Sequence, residues 1–264
     1  MKCQDARRWV KGHRLFQCLR RQFSPDVILL CVRWYLSYQL SYRDLVEMMD
    51  ERGLKIAHST ILRWVLNYSM ELKKRVRHHL KKRNRSWRMD ETYIKVNGEW
   101  KYLFRAVDSN GETIDFYLSH TRDTTAAVRF FERICHHRSP HFPRVINVDK
   151  NPAYTNAKRQ LMKTKPWGQR LILRQNKYLN NIIEQDHRCI KRKMRQAMGF
   201  YSMITAEKTI TGIETMHQLR KGQVPFIDGK KDPQCCRNFI HRCFGITGPI
   251  FPTILNRPCP LSVS

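Results

Sequence analysis

The stretch Arg88-Met89-Asp90-Glu91-Thr92-Tyr93-Ile94-Lys95-Val96 sets two adjacent carboxylates inside a run rich in Thr, Tyr, Ile and Val. Such a run reads as a β-strand. Neighbouring side chains of a strand point to opposite faces, so Asp90, Thr92 and Ile94 share one side and Glu91, Tyr93 and Lys95 the other. That alternation turns Glu91 away from whatever Asp90 faces. Just upstream, residues 71–88 hold nine Lys or Arg against one acid, Glu71. A carboxylate on a core strand of so basic a chain has two readings: it pairs with a nearby Arg, or it joins other acids around a metal ion. The second reading requires partners elsewhere.

Downstream the period of two continues. Strand-like runs cover Trp87–Val96, Trp100–Asp108 and Thr113–Ser119, separated by Asn97-Gly98 and Ser109-Asn110-Gly111. Asn-Gly is a strong hairpin signal, so three antiparallel strands follow one another. A helix over about 124–135 comes next, then a short buried strand Arg144–Asp149 that ends on an acid. A helix over about 151–162, a strand at 171–173, a long helix from Asn180 or Asn181 and a last one over about 206–220 complete an α/β order with a mixed five-stranded sheet.

Upstream the period is helical. Ser24-Pro25-Asp26 opens a helix whose apolar face is Val27, Leu30, Cys31, Trp34 and Tyr38. Ser41 followed by Asp44 opens a second, which should stop at Gly53. Ala57-His58-Ser59-Thr60 opens a third. Three short helices with a Gly turn before the last fit a helix-turn-helix, placing His58, Ser59, Thr60 and Arg63 at the end that enters a major groove. An ordinary three-helix packing unit, with Ser59 and Thr60 as caps, would show the same pattern. The expected organisation is a basic arm (1–22), a helix-turn-helix domain (23–70), a basic linker (71–86), an α/β domain (87–222) and a tail (223–264).

Charge dominates the composition: 50 Lys and Arg against 22 Asp and Glu give a net +28 over 264 residues. The excess is spread along the chain, with 21 basic and 7 acidic residues in 1–89 and 16 against 9 in 90–178. A field of one sign over the whole molecule points to a polyanion, and double-stranded DNA is the expected partner. The N-terminus MKCQDARRWVKGHR lacks the apolar stretch of a signal peptide, and the longest apolar run, 27–32, is cut by Arg33. A cytoplasmic protein without a membrane partner is expected. Nine cysteines without framework spacing suit a reducing compartment. Cys235, Cys236, His241 and Cys243 offer zinc-ligand types without CxxC pairs, and Cys3, His13 and Cys18 are one ligand short.

Two-metal phosphoryl transfer needs several carboxylates converging on two cations. Asp90 lies in the first strand and Asp149 at the end of the fourth, where open sheets place their ligands. The third acid should come from a helix over that edge. In Asn180-Asn181-Ile182-Ile183-Glu184-Gln185-Asp186-His187-Arg188-Cys189-Ile190-Lys191, Glu184 and Asp186 lie about 200° apart, so only one can face the site. Glu184 shares a stripe with His187 or Arg188 and with Lys191, whose cation suits a DNA phosphate. Ile183 and Ile190 form a stripe for packing on the sheet. Asp186 is left as a solvated or ion-paired residue.

With these residues in view the sequence closely resembles bacterial insertion-sequence DDE transposases with an RNase H-like, integrase-like catalytic core, specifically insertion-sequence family six. The matching stretches are SYRDLVEMMDERG, HSTILRWV, MDETYIKVNGEWKYLFRAVDSNGETIDFYLS, NVDKNPAY, KYLNNIIEQDHRCIKR and GIETMHQLRKGQ. The resemblance implies catalytic, metal-holding acids at Asp90, Asp149 and Glu184. Thirty-four residues separate the last two, as in the family's D,D(34)E spacing, and Lys191 matches the basic residue seven after the glutamate. It implies two Mg²⁺ ions, with Mn²⁺ able to stand in, cleavage of the element's 3′ ends and strand transfer. It also implies terminal inverted repeats and target DNA as partners and a homodimer or larger synaptic assembly. The competing reading is an inactive or domesticated transposase acting as a DNA-binding repressor. Residues 1–12 and those after about 225 lie outside the resemblance.

Overall fold

The computed structural model describes residues 23–135, 142–196, 199–225, 227 and 232–246. The expected basic arm, with Cys3, His13 and Cys18, lies outside them. Three helices come first: α1 (Pro25–Ser37), α2 (Tyr42–Asp50) and α3 (His58–Val76). Ser24 caps α1, and Ser41 with Asp44 forms a reciprocal capping box on α2. The sheet strands are β1 (Ser86–Val96), β2 (Glu99–Asp108), β3 (Thr113–Ser119), β4 (Val145–Val148) and β5 (Ile172–Gln175), in spatial order β3-β2-β1-β4-β5. The β1–β2 and β2–β3 pairs are antiparallel, whereas β1–β4 and β4–β5 are parallel. Val96 pairs with Glu99 across a two-residue turn in which Asn97 and Gly98 both have positive φ, the conformation Asn-Gly favours. This is the mixed five-stranded sheet anticipated from the alternating pattern, with the RNase H-like architecture that the resemblance implies.

Helices α4 (Thr124–Ile134) and α5 (Pro152–Thr164) cover one face of the sheet, and α6 (Asn181–Gln196) and α7 (Met203–Arg220) the other. Alternation sorts the strands between two cores. Trp87, Met89, Phe104 and Ala106 pack with Ala127, Phe130 and Leu161 under α4 and α5. Ile94, Val96, Leu103 and Phe116 join Ile190, Ile210 and Ile213 on the other side. Burial of such large side chains contributes about 1.5–3 kcal/mol each, before conformational entropy is set against it.

The second core continues without a break into the N-terminal helices through Ile28, Val32, Trp64, Val65 and Leu72. The contact with α7 is backbone-close: a Cβ added at Gly212 would lie 2.3 Å from Ser69 Oγ. The expected linker at 71–86 therefore does not hold two bodies apart. Residues 71–76 are the last turns of α3, and Leu72 and Val76 are buried because α7 and the segment after it pack there. The face expected on α1 is also rotated. Ile28, Cys31, Val32 and Tyr35 are buried, and Tyr38 is exposed. Nine of the thirteen residues of PDVILLCVRWYLS are hydrophobic and they fall on every side, so periodicity alone selects no face, and packing between α3 and α7 does.

The segment expected as a tail of unknown order contains α8 (Pro233–Cys243), capped by Asp232. Cys236 and His241 on it are packed into the second core rather than gathered with Cys235 and Cys243 around an ion. Among the described residues no helix is long and apolar enough to cross a membrane.

Candidate active site

Asp90 and Asp149 meet because of strand register. In the parallel β1–β4 pair Arg88 sits opposite Asn147, and the same register two residues on sets Asp90 beside Asp149, just past the end of β4. Parallel neighbours about 4.8 Å apart project equivalent residues to the same side. Asp149 also accepts the Asn151 amide at 2.9 Å, which fixes the turn into α5.

The third carboxylate within reach is Glu91. Ligand oxygens of Asp90, Glu91 and Asp149 all lie within 4.8 Å of one another, the metal-competent acidic group found among the described residues. Alternation therefore does not take Glu91 out of reach of the other two acids. Its side chain does leave on the α5 face, next to Tyr154, but β4 has ended, so both faces of β1 open onto the same edge. Arg122 closes the gap, donating from Nε to Glu91 at 3.0 Å and from Nη2 to Asp149 at 3.1 Å. One oxygen of Glu91 is buried beside the Tyr154 hydroxyl, in a side chain only 4% exposed.

Glu184 stands exposed on the first turn of α6. It does not come within 4.8 Å of both aspartates, yet its charge is felt at Asp90. Two side chains fix where α6 begins. Arg88 Nε donates to Leu179 O at 2.9 Å, and Asn147 Nδ2 donates to Asn176 O at 2.8 Å and Asn180 Oδ1 at 2.6 Å. Ile183 and Ile190 are fully buried, so their stripe faces the sheet. On the stripe of Glu184, Arg188 and Lys191 are exposed, but His187 is buried, its Nδ1 3.7 Å from Asp90 Oδ2. Burial, with Arg105 and Lys191 nearby, lowers this imidazole to about 3, so it stands neutral beside the carboxylate.

Asp90 carries the mark of the cluster. Burial, then the charge of Glu91, then Asp149 and Glu184, raise its carboxyl from 3.8 to about 7. Hard oxygen donors, buried and crowded until an acid titrates near neutrality, suit a small divalent cation. The residues fit such an ion. Asp186, the competitor of Glu184, is ion-paired: Arg105 Nη2 lies 2.6 Å away, His217 Nε2 2.7 Å, and Lys221 is in contact. Arg122, His187 and Tyr154 escaped sequence reasoning, although His187 stood on the stripe already drawn.

A family profile described as a DDE domain matches residues 84–223, just over half of the chain. The transposase for insertion sequence-like element IS431mec of Staphylococcus aureus is 41% identical over 205 residues, covering 76% of this chain and 87% of that one. The chain belongs to the insertion-sequence family six DDE transposases. The transposase for insertion sequence element IS257 in transposon Tn4003, also from Staphylococcus aureus, is 40% identical over the same length and coverage. Among solved structures, the HTLV-2 integrase catalytic core in complex with magnesium aligns with a TM-score of 0.38 at 13% identity, over 53% of this chain and 88% of that one.

In this transposase the start of α3 is solvent-facing. His58, Ser59 and Arg63 are exposed and Thr60 half-buried, with Arg63 donating to Thr60 Oγ1 at 3.2 Å. Ala57 occupies the cap position without a side-chain bond, so neither Ser59 nor Thr60 is spent on capping.

Proposed function

We propose that this transposase binds the terminal inverted repeats of its element, cleaves their 3′ ends and joins them to target DNA. Asp90, Asp149 and Glu184 would hold two divalent cations, Mg²⁺ or in its place Mn²⁺. The observation that carries the reading is Asp90 beside Asp149, its carboxyl driven towards neutrality by burial and by the acids around it. When bound, the ions supply Lewis-acid activation of water and neutralise charge developing on the phosphate.

The chain's own groups supply position. Arg122 fixes Glu91 and Asp149 relative to one another, leaving Glu91 the better compensated of the two nearby glutamates. Glu184, exposed on a helix terminus, is free to turn towards the aspartates. Neutral His187 backs Asp90 without adding a positive charge that would oppose a cation there. Arg188 and Lys191, one and two turns beyond Glu184, face solvent where a DNA phosphate would lie. His58, Ser59, Thr60 and Arg63 present the polar start of α3 to a major groove. Two ends must be held together for joining, which favours a homodimer or larger assembly acting in the cytoplasm on the nucleoid.

A joining assay with labelled end DNA, Mg²⁺ or Mn²⁺ and the full chain tests this. Strand transfer should occur with the parent and vanish in Asp90→Ala, Asp149→Ala and Glu184→Ala while end binding persists. Binding without joining by the parent would instead support a DNA-binding repressor. Full joining by any of the three variants would remove that residue from the site.

A further inference from the structure

On its side away from Asp90, α6 carries a second constellation. Asp186 and Cys189 stand one turn apart, and His217 of α7 reaches between them. Its Nε2 lies 2.7 Å from Asp186 Oδ1, and the ring also hydrogen-bonds the Cys189 side chain. Thiol, imidazole and carboxylate thus stand in series. The carboxylate is itself fixed by Arg105, which donates from Nη2 at 2.6 Å, and by Lys221. Arg105 in turn donates from Nε to Glu214 at 2.6 Å. The imidazole is therefore held in one orientation, with one nitrogen committed to Asp186 and the other left to exchange a proton with sulfur.

Cys189 is not sealed in. It is half-buried and lines a cavity of about 900 Å³ together with Asp186, His217, Arg192 and Lys193. Cys31, Cys135, Cys236 and Cys243 differ: burial pushes each of their thiols up. At Cys189 burial acts in the same direction, and the charges of Glu214 and Asp186 add to it. The bond to His217 and its charge outweigh them, so the thiol lies below its ordinary value. Burial lowers the His217 imidazole, but its bonds to Asp186 and Cys189 prevail and leave it raised. The thiol and imidazole are displaced in opposite directions, as an ion pair requires.

We propose that Cys189 is a reactive-thiol modification site, a thiolate paired with the His217 imidazolium and approached by small electrophiles through the cavity. Hydrogen peroxide is the oxidant of this class. The Cys189 sulfur attacks one peroxide oxygen, the S–O bond forms as the O–O bond breaks, and sulfur loses two electrons to become a sulfenic acid. The departing hydroxide takes the proton from His217 and leaves as water.

The test uses the full chain at pH 7 with limiting iodoacetamide and peptide-resolved mass spectrometry. Cys189 should be alkylated at least roughly tenfold faster than Cys31, Cys135, Cys236 or Cys243. His217→Gln should slow Cys189 alkylation by roughly tenfold and leave the other four rates unchanged, with a melting curve reporting that the variant is folded. If that variant does not fold, the pH profile of the parent decides: a midpoint below the ordinary thiol value of about 8.5 supports the pair. Brief peroxide followed by dimedone should tag Cys189, and Cys189→Ser should lose the tag. A rate at Cys189 no faster than at these four, a midpoint at or above about 8.5, or equal alkylation in folded His217→Gln overturns the proposal.

Discussion

Helix α6 presents two acids, Glu184 and Asp186, to two opposite electrostatic environments. On one side Asp90, Glu91 and Asp149 crowd together with Arg122 as their bridging cation, and the Asp90 carboxyl is raised to about 7. On the other, Asp186 and Glu214 are matched by Arg105, His217 and Lys221, and the Asp186 carboxyl is held well below its ordinary range although burial opposes this. The residue types are the same, and Asp90 and Glu91, like Asp186 and Glu214, are largely withdrawn from solvent. What differs is whether the protein supplies the countercharge. A cluster left short of positive charge is poised to take up cations, whereas a compensated one fastens α6 to β2 and α7.

The comparison breaks most sharply through activity. Alanine at Asp90, Asp149 or Glu184 should lower strand transfer at least ten-thousandfold, above about 5 kcal/mol, while filter binding of end DNA stays within about twofold. Next comes Arg105→Met, which strands Asp186 and Glu214 around a residue only 1% exposed. Denaturant unfolding should show a loss of about 3–5 kcal/mol. A loss under about 1 kcal/mol would mean that the network does not fasten the fold.

Asp90 gives a smaller effect of opposite sign. Its folded value of about 7 exceeds the ordinary 3.8, so the folded state binds this proton more tightly than the unfolded chain. Stability is unaffected below about pH 4, falls as pH rises towards 7 and stays lowered above it. Without divalent cations, Asp90→Asn should therefore be the more stable chain at pH 8, by about 2–4 kcal/mol, and no more stable at pH 4. Saturating Mg²⁺ should raise the melting temperature of the parent and not of the variant. A variant equally stable at pH 8 would show that the carboxylates do not repel.

Much of this contrast was written in local sequence. Alternation and Asn97-Gly98 mark the hairpin, and helical angle alone separates Glu184 from Asp186. The rest depends on distant chain segments. Arg105 meets Glu214 across 109 residues, and no local pattern pairs them. Glu91 stays within reach because alternation describes the middle of a sheet, and this site lies where β4 stops. The α1 face was misjudged because a helix with apolar residues on every side leaves the choice to its neighbours. Helix α8 was legible after all: Asp232-Pro233 is the same start signal as Ser24-Pro25, and Asp232 accepts from the Gln234 and Cys235 amides.

The mildest expected change lies on the stripe that joins the two sides, at Lys191. Its ammonium is exposed two turns beyond Glu184, in a cavity of about 570 Å³ with Thr92, Tyr93, Trp100 and Arg195. A lysine there acts as a point charge on a phosphate, so its loss should weaken DNA of any sequence alike. Lys191→Ala should raise the dissociation constant for end DNA and random DNA by a similar factor, about threefold to tenfold at moderate salt, and lower the log–log salt slope by about one. Lys191→Arg should restore both. A salt slope unchanged in the alanine variant would remove Lys191 from the DNA path. A loss confined to end DNA would turn it from a phosphate contact into a reader of sequence.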